Sequence, residues 1–134
     1  MERRPVMVEM VHLDTHVVIW MAMNEHHRLP EAVIKRINAS TLMISPVVIL
    51  ELQYLVEAKK IEGNPLKIIE KLQTMIGLEI CKDPFESVIK ESLHLSWTRD
   101  PFDRLIVAQA LMNKTHLLTK DREIHRHYPR AVWE

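Results

Sequence analysis

The chain has 134 residues, of which 47% are hydrophobic and 27% are charged. These values exclude the disordered and membrane-spanning classes, and the length is short for two domains, so we expect a single domain over residues 1–134. Eighteen basic side chains balance eighteen acidic ones. Overall charge therefore gives no argument for a nucleic-acid partner, and any anion site must come from a local patch.

The N-terminal segment and the single cysteine both bear on the cellular compartment. Residues 1–5 include two arginines, but the following apolar run is interrupted by Glu9, His12 and Asp14 and contains no small-residue cleavage site. We therefore expect no signal peptide. Cys81 has no second cysteine to pair with and lies in an apolar context. This predicts a buried thiol and a cytoplasmic protein. No apolar run approaches the length needed to span a bilayer, so we expect no membrane segment.

Apolar strands and helical segments alternate along the chain, separated by proline and glycine breaks. Pro30 and Pro46 suit the first turns of two helices, and Gly77 suits the end of another. The segments that begin at Asp83 and Asp100 share the form Asp-Pro-Phe-acid, which resembles a capped helix start. In chain order, the predicted elements are a strand at residues 7–13, helices at 15–23 and 32–37, a strand at 42–45, helices at 46–60 and 66–76, a strand at 78–81, helices from 83 and from 100 to 113, a strand at 116–119, a short helix at 122–126 and a candidate strand at 131–133.

This order of elements predicts an α/β fold. Strands separated by helices form a mainly parallel sheet, here of four to five strands, with helices on both faces in three α/β/α layers.

Four acids stand at the ends of predicted strands or in the helices that follow them: Asp14, Glu51, Asp103 and Asp121. Each has a local interpretation. Asp14 and Asp121 can cap the helices that follow them, and Asp103 can interact with the dipole in the first turn of its helix. Glu51 lies on an apolar helical face, where an ionised group is costly unless a metal or a distant arginine pairs with it.

Their common placement favours one shared site. The carboxyl ends of parallel strands meet at one edge of an open sheet, where such folds form their binding crevices. Four carboxylates that converge there repel one another unless a cation lies between them. Hard divalent ions prefer oxygen ligands, so the set predicts an Mg²⁺ site, with Mn²⁺ as a substitute, and metal-assisted phosphodiester hydrolysis.

Five segments carry a family resemblance, in order along nearly the whole chain. They are Leu-Asp-Thr-His at 13–16, Ile-Ser-Pro-Val-Val-Ile-Leu-Glu-Leu at 44–52, Arg-Asp-Pro-Phe-Asp-Arg-Leu-Ile-Val-Ala-Gln-Ala at 99–110, Leu-Leu-Thr-Lys-Asp-Arg at 117–122 and Tyr-Pro-Arg-Ala-Val-Trp at 128–133. Together they resemble the PIN-domain ribonucleases, and more narrowly the VapC toxins of type II toxin-antitoxin systems.

The resemblance implies an Mg²⁺-dependent endoribonuclease in which a metal-activated water cuts RNA to leave a 5′-phosphate and a 3′-hydroxyl. It implies that Asp14 and Asp103 are the central metal ligands, and that Glu51 and Asp121 complete the site directly or through water. The supporting residues that it implies are a further acid, two hydroxyl groups that orient the cluster and a basic group that holds the pocket or a phosphate: Asp100, Thr15, Thr119 and Arg104.

The resemblance also implies partners, namely a second copy of the chain in a homodimer and a small VapB-like antitoxin that covers the active site. The helices at residues 17–23 and 47–56 are candidate walls of the antitoxin groove, unless their apolar residues simply form the core. His16 is a candidate RNA contact or an ordinary surface histidine. A basic cluster near the C-terminus is an anion site or a solvated surface: Lys120, Arg122, His125, Arg126, His127 and Arg130.

Alternative functions stay open. A catalytically degenerate PIN module could act as an RNA or protein scaffold, and a PIN nuclease could serve RNA processing rather than toxicity. A haloacid-dehalogenase-like phosphatase is disfavoured because His16 replaces the second Asp expected two residues after Asp14. A receiver domain is disfavoured because neither predicted strand in the middle of the sequence, at residues 42–45 and 78–81, ends in Asp. Transfer, ribosomal and messenger RNA are all compatible substrates.

Overall fold

The computed structural model describes residues 8–134, which form five strands and seven α-helices. Strands β1 to β5 are Met10–Leu13, Thr41–Ile44, Glu79–Ile80, His116–Leu118 and Ala131–Val132. Helices α1 to α7 are Thr15–Ala22, Glu31–Ala39, Val47–Glu57, Pro65–Ile76, Phe85–Ser92, Pro101–Asn113 and Arg122–His127. Met7, predicted to begin the first strand, and residues 1–5, which bear on the signal-peptide prediction, lie outside the described residues. No helix within residues 8–134 is long and apolar enough to cross a membrane.

The five strands form one parallel sheet in the order β3-β2-β1-β4-β5. Strand β1 is central, so that His12 pairs with Met43 of β2 on one side and with Leu117 of β4 on the other. The carboxyl ends of all five strands therefore lie at one edge of the sheet. The predicted α/β class with a parallel central sheet is confirmed.

The core lies on the central strands. Val11, Leu13, Leu117 and Leu118 have no exposed surface, which is expected when helices cover both faces of a parallel sheet. The helices that carry the acids add buried residues to this core: Val17 and Val18 of α1, Val48 and Leu52 of α3, and Ile106 and Val107 of α6. Close packing of these residues holds the three helices in fixed positions against the sheet.

Helix boundaries follow the predicted breaks, with one exception at Asp83. Gly77 ends α4 in the left-handed conformation, as expected of glycine there. Asp83 does not cap α5, because its carboxylate accepts hydrogen bonds from the side-chain amides of Asn113 (2.9 Å) and Gln109 (3.3 Å) of α6. The prediction of a capped start was wrong here, since two donors from a distant segment reach the carboxylate instead.

Cys81 is buried and free, as predicted. Its Sγ lies 3.0 Å from Nε2 of His12, and Nδ1 of the same ring lies 2.8 Å from the Thr115 hydroxyl. Burial lowers the pKa of His12 to about 4 and raises the pKa of the Cys81 thiol to about 12. At neutral pH the imidazole is therefore uncharged and the sulfur is a thiol.

Candidate active site

Asp14 follows the central strand and is nearly buried, with 7% of its surface exposed. It is the N-cap of α1, and its Oδ1 accepts a hydrogen bond from the Thr15 amide at 2.7 Å. Its Oδ2 accepts a hydrogen bond at 2.5 Å from the hydroxyl of Thr119, which follows β4. Both carboxylate oxygens are thus oriented by donors, and the capping role predicted for Asp14 is confirmed.

Glu51 reaches the same edge of the sheet from α3. Its Oε1 accepts a hydrogen bond from the Thr15 hydroxyl. Thr15 therefore contacts Asp14 through its amide and Glu51 through its side chain. The alternative of a salt bridge is not found, because Glu51 forms no ion pair with any residue of the described chain.

Asp103 lies in the first turn of α6, and Asp100 is the N-cap of that helix. The Asp100 carboxylate accepts hydrogen bonds from the amides of Phe102 (2.8 Å) and Asp103 (3.3 Å). Arg104 donates through Nε to the carbonyl of Thr98 at 2.7 Å, so that it holds the loop that precedes α6. These contacts fix the position of Asp103 relative to the sheet.

Asp121 is the N-cap of α7, where its carboxylate accepts a hydrogen bond from the Ile124 amide at 3.0 Å. Its own amide donates to the Thr119 hydroxyl at 3.1 Å. Because the same hydroxyl donates to Asp14, Thr119 connects the first and the last of the four acids. The predicted cap is confirmed.

The four acids and Asp100 interact electrostatically. Burial raises the pKa of Asp14, and the charge of Asp121 raises it further. Burial also raises the pKa of Glu51, with contributions from Asp14 and Asp100. The pKa of Asp103 is raised to about 8 by burial and then by the charges of Asp100, Asp14, Asp121 and Glu51. The structure thus brings together the four acids expected from the sequence. We call Asp14, Glu51, Asp103 and Asp121 the acid cluster.

The acid cluster offers the oxygen donors that a hard divalent ion prefers. Within residues 8–134, however, no three His, Cys, Asp or Glu side chains are arranged to hold an ion as they stand. The two observations are compatible because charges interact over several ångströms, whereas an Mg²⁺–oxygen bond is about 2.1 Å long. Each carboxylate oxygen that accepts one hydrogen bond keeps a second lone pair. The residue types therefore fit a divalent ion, and ligation requires side-chain rotation.

Two tryptophans for which the sequence predicted no role follow His16 in a series of ring contacts. The ring centroid of Trp20 in α1 lies 5.9 Å from that of exposed His16 and 5.8 Å from that of Trp133. The spacing of His16 and Trp20, four residues apart on one helix, is a signal that could have paired them. The contact with Trp133 depends on tertiary structure and has no local signal.

Of the two helices proposed as walls of a partner groove, α1 is mostly core, whereas α3 buries only Val48 and Leu52. The buried apolar residues of α1 are Val17, Val18, Ile19, Met21 and Ala22. A shallow groove does lie between α1 and the end of α3, and its apolar lining includes Trp20, Met23, Leu55 and Ile61. Only the outer residues of these helices are therefore accessible to a partner.

Comparisons with known proteins agree with this fold. Residues 11–129 match the family model of the PIN domain. The chain is 32% identical over 131 residues to Ribonuclease VapC22 of Mycobacterium tuberculosis, in an alignment that covers 90% of this chain and 96% of that protein.

Two similar solved structures are VapBC2 from Rickettsia felis bound to a promoter DNA fragment and a toxin-antitoxin complex from Klebsiella pneumoniae. The first has a TM-score of 0.60 and 22% identity, and covers 93% of this chain and 97% of that chain. The second has a TM-score of 0.61 and 17% identity, and covers 91% and 95%. At these identities the likeness shows the fold alone. With the family match and the 32% identical relative, it follows that this chain belongs to the PIN-domain family, in its VapC branch.

Proposed function

We propose that this chain is a metal-dependent endoribonuclease and the toxin of a type II toxin-antitoxin system. The observation that carries the proposal is the acid cluster at the carboxyl edge of a PIN-family sheet. The similarity to a protein named Ribonuclease VapC22 supports RNA as the substrate class. Mg²⁺ is the proposed cofactor, and Mn²⁺ is a substitute.

In this proposal Asp14 and Asp103 hold the ion, and Glu51 and Asp121 complete the site directly or through water. A bound divalent ion supplies an activated water and neutralises the charge that develops on the phosphate and the leaving oxygen. Asp14 is oriented before any ligand arrives, because both of its oxygens already accept hydrogen bonds. Such preorganisation lowers the cost of building the site.

The protonation state of Asp103 links metal binding to pH. With a pKa of about 8, this carboxyl holds its proton at neutral pH in the metal-free protein. The proton must leave before the carboxylate can bind a cation, so we expect metal affinity to rise as pH rises toward 8.

The described residues favour water over a side-chain nucleophile. Cys81 is buried and its thiol has a pKa of about 12, so the reactive thiolate is scarce at neutral pH. His12 is buried with a pKa of about 4 and contacts Cys81 and Thr115 rather than the acids. The hydroxyls of Thr15 and Thr119 donate to carboxylates. Attack by water is the chemistry that we propose for cleavage to a 5′-phosphate and a 3′-hydroxyl.

The proposed partners are a second copy of the chain and a small VapB-like antitoxin. Support comes from similar solved structures of VapBC and toxin-antitoxin complexes. Helix α3 exposes Leu50 and Tyr54, which are 47% and 54% accessible, and both are large enough to anchor an apolar partner segment. Co-purification with the tagged chain, followed by mass measurement, tests both partners.

A PIN module that binds RNA or protein without cutting it is the competing function. The observation in its favour is that the described acids do not stand in a ligating arrangement. A PIN nuclease in RNA processing shares the proposed chemistry and differs only in its partner and its target.

Cleavage of end-labelled RNA by the purified protein separates nuclease from scaffold. We expect wild-type protein to cleave RNA in the presence of Mg²⁺ or Mn²⁺, and we expect a chelator to abolish this cleavage. Asp14→Asn and Asp103→Asn should lose cleavage. Asp83→Asn removes a charge outside the acid cluster and should still cleave RNA. RNA that stays intact with wild-type protein supports the scaffold, and cleavage by purified Asp14→Asn contradicts the site.

A further inference from the structure

We propose that the stacked rings of Trp97 and His127 set the separation of Asp103 and Asp121, and that these two aromatic side chains are positioning residues for the metal site. This inference rests on the proposed metal-dependent function and adds two residues that lie outside the acid cluster. Trp97 lies in the loop that joins α5 to α6, and His127 is the last residue of α7. We call this ring pair the aromatic bridge.

Asp103 and Asp121 are carried by two helices that have little contact with each other. Asp103 lies in the first turn of α6, and Asp121 is the N-cap of α7. Within residues 8–134, α6 packs against α5, α3 and β4, whereas α7 packs against β5 and shares little direct packing with α6. The sheet thus holds each helix separately, and a direct link between them adds control over the separation of the two acids.

The two rings of the aromatic bridge lie face to face. Their centroids are 4.8 Å apart and their planes differ by 9°, a distance at which stacked rings attract each other. Trp97 is half-buried and packs against the core. Nε2 of His127 lies 3.4 Å from Oε1 of Glu123, one turn earlier in α7. Each ring therefore has a second contact that fixes its orientation.

The residue after Trp97 connects the bridge to the start of α6. The hydroxyl of Thr98 accepts a hydrogen bond from the Asp100 amide at 3.1 Å, and its carbonyl accepts one from Nε of Arg104 at 2.7 Å. Asp100 in turn caps the turn of α6 that carries Asp103. A displacement of Trp97 would therefore be passed to the first turn of this helix.

Helix α7 connects the other end of the bridge to Asp121. The helix has six residues, and Ile124 near its centre has no exposed surface. The Ile124 amide donates to the Asp121 carboxylate at 3.0 Å. Nε2 of His125 donates to the carbonyl of Thr119 at 2.6 Å, which fixes α7 to the end of β4. A short helix held in this way moves as one unit, so that the positions of His127 and Asp121 are coupled.

A direct contact between His127 and RNA is the alternative role, because 38% of this side chain is exposed. The structure favours the positioning role, since one face of the ring lies on Trp97 and Nε2 lies against Glu123. The two roles alter different quantities. Positioning changes the affinity of the site for metal, whereas direct contact changes the affinity for RNA.

The test compares four variants of the full-length protein. His127→Ala and Trp97→Ala remove the bridge, and His127→Phe keeps a flat ring in place of the imidazole. His94→Ala is the matched control, because it removes an exposed imidazole from the same loop as Trp97. Because His127 is exposed, His127→Ala is expected to fold even if the loss of the half-buried Trp97 ring disrupts the protein.

Calorimetric titration of Mn²⁺ without RNA measures the effect on the metal site. We expect His127→Ala and Trp97→Ala to bind Mn²⁺ about 10-fold more weakly than wild type, as is usual when a residue that orients metal ligands is lost. His127→Phe should restore most of this affinity, and His94→Ala should match wild type. A loss in His127→Phe as large as that in His127→Ala would show that the contact with Glu123 matters rather than the ring stack, and it would overturn the bridge.

RNA cleavage at saturating Mn²⁺ separates positioning from RNA contact. Positioning predicts that His127→Ala keeps the wild-type KM for RNA, because its defect lies in the metal site. A raised KM for RNA combined with unchanged Mn²⁺ affinity would show a direct RNA contact and refute the positioning role.

Amide hydrogen exchange in a chelator tests the bridge without metal. The amides of Phe102 and Ile124 report its two ends, because they donate to the carboxylates of Asp100 and Asp121. We expect both amides to exchange about 2–10-fold faster in His127→Ala, as the loss of one aromatic pair implies. Both should keep wild-type rates in His127→Phe. Rates that are unchanged in His127→Ala would show that the ring stack does not link the two helices.

The bridge and the metal-site proposal fail separately. Wild-type protein that binds no Mn²⁺ contradicts the metal site, and hydrogen exchange then decides whether the bridge holds the two helices. Wild-type protein and His127→Ala that bind Mn²⁺ equally well contradict the bridge and leave the metal site standing.

Discussion

Asp103→Asn should stabilise the metal-free protein near neutral pH, although most substitutions of partly buried residues destabilise. The substitution keeps the size of the side chain and removes its charge. In the parent, burial and the charges of Asp100, Asp14, Asp121 and Glu51 raise the pKa of Asp103 to about 8. The asparagine side chain is uncharged, so the neighbouring carboxylates do not repel it.

The magnitude follows from the pKa. A shift from 3.8 to about 8 costs up to about 4 kcal/mol at pH 7, at about 1.4 kcal/mol for each unit. Because Asp103 is only partly buried, solvent screening reduces this value, and we expect a gain of about 1–2 kcal/mol.

The pH dependence has a definite sign. At Asp103, the folded parent binds more protons than its unfolded chain between about pH 4 and pH 8, so the contribution of this carboxyl to stability falls as pH rises through this window. The advantage of Asp103→Asn should therefore be absent below about pH 4, where the unfolded carboxyl is also protonated, and complete above about pH 8.

Urea unfolding in a chelator, followed by circular dichroism across this pH range, measures the effect. Asp83→Asn is the matched control, because Asp83 accepts hydrogen bonds from Asn113 and Gln109 outside the acid cluster and should show no gain. Added Mg²⁺ or Mn²⁺ should stabilise the parent by mass action and should stabilise Asp103→Asn much less. If Asp103→Asn is no more stable than the parent at any pH in the chelator, the acids do not repel one another as argued.

Three further predictions concern single residues. Thr119→Val removes the hydroxyl that contacts Asp14 and should cost about 1–3 kcal/mol of stability in urea unfolding; a smaller loss would show that this hydrogen bond is not needed. Asp100→Ala removes the cap of α6 and should cost about 0.5–2 kcal/mol, measured by thermal unfolding. The unfolded chain protonates His12 more readily than the folded one, so the contribution of His12 to stability should fall by up to about 3 kcal/mol as pH drops from 6.5 to about 4. In NMR titration the His12 ring should stay neutral to about pH 4, and titration near 6.5 would contradict its burial.

The order and type of the elements were predictable because their signals are local. Helix α4 ends at Ile76 as predicted, since Gly77 accepts a left-handed backbone there. The edge strands were predicted too long, at residues 78–81 and 131–133. Strands β3 and β5 span only two residues each, because an edge strand pairs on one side only.

Convergence of the acids was also predictable, because it follows from the parallel sheet. The hydrogen bonds that position the acid side chains were not predictable from the sequence. Thr119 lies 105 residues from Asp14, and Thr15 lies 36 residues from Glu51. The family resemblance assigned roles to both threonines, but the sequence does not state which carboxylate each hydroxyl contacts. Asp83 shows the same limit. Its sequence pattern predicts a helix cap, but its carboxylate accepts hydrogen bonds from side-chain amides of a distant helix instead.

Calorimetric titration of Mn²⁺ into the purified protein tests the central claim that four carboxylates form one metal site. We expect saturable binding by wild type and no binding by Asp14→Asn or Asp103→Asn. Glu51→Gln and Asp121→Asn should bind about 10–100-fold more weakly, as expected for residues that support the central ligands, and Asp83→Asn should match wild type. Wild-type protein that binds no Mn²⁺, or equal losses in Asp83→Asn and Asp14→Asn, would contradict the account.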